Sequence, residues 1–307
     1  MKLHRPKKRL TRVLIALAML LGLFGSAVFI TPGIIMSGKR QTLDEAMEWQ
    51  SEHYDTSFYE ELEKQDYTVT ILDGYELHAQ LLKNPDPTDK YIIISHGYTD
   101  NRYGALKYVQ MYLRLGFNCI IYDLRGHGEN EKTFTTYSIR EGQDITELVS
   151  DARSRFDGIS VLGLHGESLG AASTAASLGY SPQVDFAVCD CGFSDIENVL
   201  KGGFEAAHLP SSFMYNIGDL GAKLRYGFRL SDMRPVDKLG NNKVPMLFIH
   251  GEDDELIDPS NSQRMADATA GYSEVHLIKG AVHAMSILTA PEEYEEYVRA
   301  FLQKIGI

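Results

Sequence analysis

From Tyr67 to the C-terminus, short apolar runs alternate with stretches of helical spacing, and this alternation limits the possible folds more than any other feature of the chain. The runs "KYIIISHG", "FNCIIYDLRG", "ISVLGLHG", "VDFAVCDCG" and "VPMLFIHG" are nearly continuous in apolar residues, as strands buried on both faces are. Between or after them, "YGALKYVQMYLRLG", "EGQDITELVSDARSRF", "SLGAASTAASLGY", "PSNSQRMADATA" and "PEEYEEYVRAFLQKI" carry helical periodicity. Ahead of them, "YTVTIL" and "ELHAQLL" flank Asp73-Gly74, a hairpin signal. The pattern predicts right-handed βαβ units and a mainly parallel sheet flanked by helices, an α/β fold. One interval breaks the rhythm. About fifty residues separate "CDCGFSD" from "VPMLFIHG", against roughly 2 to 6 for an ordinary connection. That length leaves room for a small helical cap, about residues 194–243, over the sheet edge where such folds bind ligands.

The N-terminus follows other rules. Lys2, Arg5, Lys7, Lys8, Arg9 and Arg12 precede an uncharged stretch from Val13 to Gly38. As a helix, "VLIALAMLLGLFGSAVFI" would extend roughly 27 Å, close to the ~30 Å of a bilayer's hydrocarbon core. The basic flank keeps the N-terminus in the cytoplasm and sends the rest out. A cleaved signal peptide is the rival reading, with Gly25 and Ala27 as the small residues of its cleavage site. The chain thus divides into a basic tail and membrane anchor (1–38), a linker helix (39–66) and an α/β domain (67–307).

Residues 1–40 hold eight of the thirty Lys and Arg and no Asp or Glu, which leaves 22 basic residues against 42 acidic in the remainder. So acidic a surface excludes nucleic acid as a partner and argues against tight binding to anionic headgroups. Cys119, Cys189 and Cys191 have no disulfide or zinc spacing and read as buried thiols.

In "LGLHGESLGAAS", Ser168 stands between Gly166 and Gly170, after an apolar run and before a small-residue helix. Glycines suit a sharp strand-to-helix turn, but a structural turn has no need of a serine at its tip. A serine hydroxyl needs a base. "IKGAVHAMS" places His283 in a loop after the last strand, whereas His96, His127 and His165 lie in turns or within a strand. The base needs an orienting acid, and "HGEDDELIDP" offers Asp253, Asp254 and Asp258. Asp190 and Asp195, after the preceding strand, are a minority alternative. Glu167, beside the serine, either contributes to substrate preference or faces solvent.

Serine, then acid, then histidine, each after its own strand, is the order used by α/β-hydrolases. "HGYTDN", "YDLRGHG", "GESLG", "HGEDDELI" and "GAVHA" resemble that superfamily's blocks in order, from about Tyr67 to Ile307. "NRYG", "DCGFSD" and the apolar N-terminus resemble a branch of membrane-anchored bacterial serine hydrolases of poorly defined substrate. The resemblance implies the α/β-hydrolase fold, with Ser168 as nucleophile, Asp254 as acid and His283 as base. It also implies an oxyanion hole from the backbone N–H groups of Tyr98 and Leu169. Asp123 and Arg125 match positions that brace a loop. Neither metal nor organic cofactor is implied; the partners are a small-molecule or peptide substrate and, through the N-terminal helix, the membrane. A carboxylic ester is the first expectation for the scissile bond, because the cap is small and mainly apolar and aromatic. A peptidase or amidase on the same fold comes second, and a catalytically silent, membrane-tethered binding protein third.

Overall fold

The computed structural model describes residues 6–307. It begins with helix α1 (Pro6–Met36), followed by α2 (Leu43–His53) and α3 (Ser57–Glu61). Thr42 and Glu45 form a reciprocal capping box that starts α2. The segment expected to be one linker helix is therefore two, and the sheet starts earlier than Tyr67, at Lys64.

Strands β1 (Lys64–Thr70) and β2 (Glu76–Leu82) form the hairpin around Asp73-Gly74. Then β3 (Lys90–Ser95), α4 (Leu106–Arg114), β4 (Asn118–Tyr122), α5 (Ile139–Arg155), β5 (Val161–Glu167), α6 (Leu169–Ser177) and β6 (Phe186–Asp190) alternate as the sequence predicts. The long interval carries α7 (Ile196–Ala206) and α8 (Ser211–Tyr226). The chain returns through β7 (Met246–Gly251), α9 (Ser260–Ala268), β8 (Ser273–Ile278), α10 (Ser286–Thr289) and α11 (Pro291–Lys304).

The eight strands lie in the order β1-β2-β4-β3-β5-β6-β7-β8, parallel from β4 onward and antiparallel across β1, β2 and β4. Strands β4, β6 and β7 are buried at every position, which their unbroken apolar sequences require. One core, with Ile93, Ile120, Leu164 and Phe248, lies beneath α5, α6 and α9. The other, with Ile92, Ile121, Val188 and Phe301, lies beneath α4 and α11. The chain moves from β3 to β4 on one side and then to β5 on the other, so the order reverses between β3 and β5. Crevices at such switch points, outside the C-terminal strand ends, are where open α/β sheets bind ligands.

Candidate active site

At that switch point β5 ends on Glu167 and α6 begins on Leu169, leaving Ser168 alone in the turn with φ 52° and ψ −111°. A side-chain-bearing residue held there stores on the order of 1–3 kcal/mol of strain. Ser168 N donates to the Asp190 carbonyl (2.8 Å), and the Ser168 carbonyl accepts from Ala172 N (3.0 Å). Both flanking glycines are sterically required. A Cβ on Gly166 would collide with the Gly170 backbone, and one on Gly170 with the Ser95 carbonyl.

Ser168 Oγ lies 2.9 Å from His283 Nε2, and His283 Nδ1 lies 2.7 Å from Asp254 Oδ2. A carboxylate can only accept, so Nδ1 carries the proton and Nε2 is free to accept from the serine. Asp254 is fixed from four directions. Its Oδ1 accepts from Leu256 N and Ile257 N, both at 2.9 Å, and its Oδ2 also meets His250 Nε2 at 3.1 Å. The same His250 nitrogen donates to the Ile257 carbonyl (2.8 Å), and Ser262 Oγ meets its Nδ1 (2.7 Å). Burial alone would raise the Asp254 pKa, but the hydrogen bonds from His250 and His283 outweigh it and hold the group ionised, below the usual carboxylate range.

The other aspartates are elsewhere. Asp253 is exposed. Asp258, also exposed, accepts from Ser260 N (2.9 Å) where α9 begins. Asp195 is engaged by Ser194 Oγ, and Asp190 accepts from Tyr108 OH (3.0 Å) while its other oxygen has no partner.

Tyr98 follows Gly97, and Leu169 follows Ser168 at the start of α6. A Cβ on Gly97 would stand 3.6 Å from Ser168 Cβ, so the "HGY" segment lies against the elbow. Among the described residues neither amide donates a hydrogen bond, so both remain available to an acceptor. His96 is a brace: its Nε2 accepts from Leu124 N (2.9 Å). Asp123 accepts from Arg102 N (2.8 Å), Arg102 Nη1 (2.6 Å) and Glu129 N (3.0 Å), while Arg125 clamps Asp144, so this pair holds loops.

Two features escaped the sequence. Glu167 does not face solvent; it is buried and paired with Lys107 of α4. Tyr108 OH donates to Glu167 (2.7 Å), and Lys107 Nζ donates to the carbonyl of Ala284, the residue after His283 (2.9 Å). The Ser168 turn and the His283 loop thus share one buried ammonium. The only signal was Lys107, set between Leu106 and Tyr108 in a helical stretch that also carries Gln110 and Arg114. The second feature is a strap. Tyr137 OH donates to the Ile35 carbonyl (2.6 Å), Thr135 N to the Met36 carbonyl (2.8 Å), Gly38 N to Tyr98 OH (3.0 Å) and Gln41 N to the Thr99 carbonyl (2.7 Å). Arg40 spans Gly126, Thr133 and Thr135. Residues read as anchor and linker therefore hold the segment that carries Tyr98. In the sequence, Arg40 is indistinguishable from an ordinary charge flanking an apolar span.

Among the described residues, one group has the composition of a metal site: ligand atoms of Cys191, Asp254 and His283 lie within 4.8 Å of one another. It is poorly suited to the task. Burial, then the neighbouring carboxylates, push the Cys191 thiol well above its ordinary pKa, whereas a metal takes the thiolate. Asp254 and His283 are already bonded to each other.

Residues 104–305 match the prolyl oligopeptidase family. The protein YqkD of Bacillus subtilis, described as uncharacterized, is 32% identical over 251 residues, covering 81% of this chain and 82% of YqkD. Among solved structures, the esterase Pf2001 of Pyrococcus furiosus superposes with a TM-score of 0.67 at 24% identity, covering 81% of this chain and 94% of the esterase. Est1E of Butyrivibrio proteoclasticus, solved with ferulic acid bound, does so with 0.58 at 16% identity, covering 78% and 98%. At these identities the structural likeness establishes the fold.

Proposed function

The chain belongs to the prolyl oligopeptidase family, a hydrolase lineage within the α/β-hydrolase fold, and from that premise we propose that it is a serine hydrolase cleaving carboxylic esters. The observation that carries this reading is the continuous chain from Asp254 through His283 to Ser168, with hydrogen bonds of 2.7 and 2.9 Å in the tautomer a base requires. His283 Nε2 takes the serine proton as Oγ attacks the carbonyl carbon. Charge that develops on the carbonyl oxygen is met by the amides of Tyr98 and Leu169, each contributing roughly 3 to 4 kcal/mol to lowering the barrier. Collapse of the tetrahedral adduct expels the alcohol, protonated by His283. Water activated by the same nitrogen then releases the acid and restores Ser168. Asp254 keeps the imidazole oriented and stabilises its charged form.

The small apolar and aromatic cap favours an ester. The matched family favours the second reading, a peptidase or amidase working through the same residues. We further propose that α1 is an uncleaved single-pass anchor with the hydrolase domain outside the cell. Thr11–Met36 is long and apolar enough to cross a membrane, although a signal sequence passes the same test. A fluorophosphonate probe should label the wild type and leave Ser168→Ala unlabelled; stoichiometric labelling of that variant would remove the nucleophile assignment. A panel of acyl esters and aminoacyl amides then separates the two substrate classes.

A further inference from the structure

The cap is joined to α1 at close range. A Cβ on Gly221 would collide with the Val28 carbonyl and come within 2.9 Å of Pro32, and one on Gly218 would stand 2.8 Å from Ile35. Arg225 Nη1 donates to the Phe29 carbonyl (3.2 Å), and its guanidinium lies 4.9 Å from the Phe29 ring. Gly218 therefore faces Thr31 and Ile35, Gly221 faces Val28 and Pro32, and Arg225 reaches Phe29 and Gly33. α8 thus lies across α1 over Val28–Ile35, and its last residue, Tyr226, packs on Phe134.

Bilayer thickness fixes the level at which this happens. A hydrocarbon core of ~30 Å needs about 20 helical residues. Sliding the span toward the N-terminus would bury Arg12 and then Arg9, so Val13 marks its cytoplasmic limit. Counted from Val13, the outer boundary falls at about Pro32, and tilt moves it further along α1. The residues from Val13 to Ala27 alone would cover only ~22 Å. Residues Val28–Pro32, against which Gly221 and the Arg225 guanidinium pack, therefore lie at or below the outer boundary and bring this part of α8 to the same level.

The surface of α8 suits that position. Leu220 and Leu224 are 38% and 71% exposed, and Phe29 and Ile34 on α1 are 60% and 71% exposed. Lys223 Nζ donates back to the Gly227 carbonyl at the end of the helix (3.0 Å), and the Arg225 charge rests on the Phe29 carbonyl and ring. Asp219, the one acidic residue of the helix, is turned inward onto Arg229 and Ser231. In a chain with 42 acidic residues, this helix turns none outward.

We propose that α8 is a membrane-interfacial helix whose Leu220–Leu224 edge enters the outer leaflet beside α1, seating the cap on lipid. The proposal rests on the reading of α1 as an uncleaved anchor. It is tested on full-length protein in phosphatidylcholine vesicles with chains brominated near the headgroup, carrying an environment-sensitive fluorophore on Leu224→Cys or, as control, on Asp86→Cys. The three native thiols are buried, and unmodified protein measures any background. The Leu224→Cys probe should be blue-shifted and quenched at least about twofold by the bromines, and the Asp86→Cys probe should be neither. Vesicle-bound protein with an unquenched Leu224→Cys probe overturns the seating of the cap while leaving the anchor intact. Protein recovered free of the vesicles, or cleaved near Ala27, overturns both.

Discussion

Replacing Lys107 by Met should damage stability and turnover together, through the two contacts its ammonium makes. Lys107 and Glu167 are 4% and 7% exposed at their side chains. Burial alone would favour a neutral lysine, but Glu167 beside it raises the pKa instead, so the pair is ionic. Met fills similar volume without the charge. Glu167 is then left buried without its ion-pair partner and supported only by Tyr108, a situation that costs about 3–5 kcal/mol. For a domain of this size each kcal/mol moves the melting temperature by roughly 2–4 °C, so the midpoint should fall by about 6–20 °C. Adding Glu167→Gln removes the stranded charge, and the double variant should regain at least half of the loss. The contact with the Ala284 carbonyl has a separate consequence. Ala284 sits at φ 60° immediately after His283, and a loop released there lets the imidazole drift, for which displacements near 1 Å cost about 10²-fold. Differential scanning fluorimetry reads the first effect. The second appears in kcat for a p-nitrophenyl ester, measured well below the melting point, with KM little changed. A single variant melting within about 2 °C of wild type, or a double variant melting no higher than the single, would refute the electrostatic reasoning.

Asp254→Asn should lose several orders of magnitude in turnover, as the wrong tautomer costs roughly 10⁴ in a serine-protease triad, whereas Asp253→Asn and Asp258→Asn should stay within about tenfold. Ester hydrolysis by the three variants decides this, and a collapse in Asp190→Asn or Asp195→Asn with Asp254→Asn intact would move the acid to β6. Burial first, then the Glu167 charge, raise the Asp190 pKa to about 6. The folded state therefore binds this proton more tightly than the unfolded chain does. The resulting destabilisation is absent below about pH 4, grows as pH rises toward 6 and then levels off at about 3 kcal/mol. Asp190→Asn should accordingly melt higher than wild type at pH 8 and show no such gain at pH 4; an equal shift at both pH values would contradict it. Finally, a chain starting at Val28 keeps the strap, whereas one starting at Leu43 loses Arg40 and the buried Met36. The shorter form should be less stable by at least about 4 kcal/mol and hydrolyse esters more slowly, and equal melting curves would show that the strap is dispensable.

The alternation from Tyr67 onward was sufficient for the sheet, because a parallel strand must be apolar along its whole length and the helices that cover it on one face only. The glycines around Ser168 were legible for a similar reason: they answer to local backbone sterics, which act between near neighbours in the chain. Asp254 was narrower ground, since three carboxylates share one loop. Their separation into one held by four hydrogen bonds and two left at the surface is made by His250 and by the turn back through Ile257. What the sequence could not carry is the pairing of groups far apart in the chain. Lys107 meets Glu167 and Ala284 only because α4 lies over β5 and the loop after β8. Arg40 reaches Gly126 and Thr133 only because the fold brings that loop beneath the end of α1. A lone buried charge is read as an anomaly until its partner is found, and partners 60 or more residues away are fixed by packing, not by pattern.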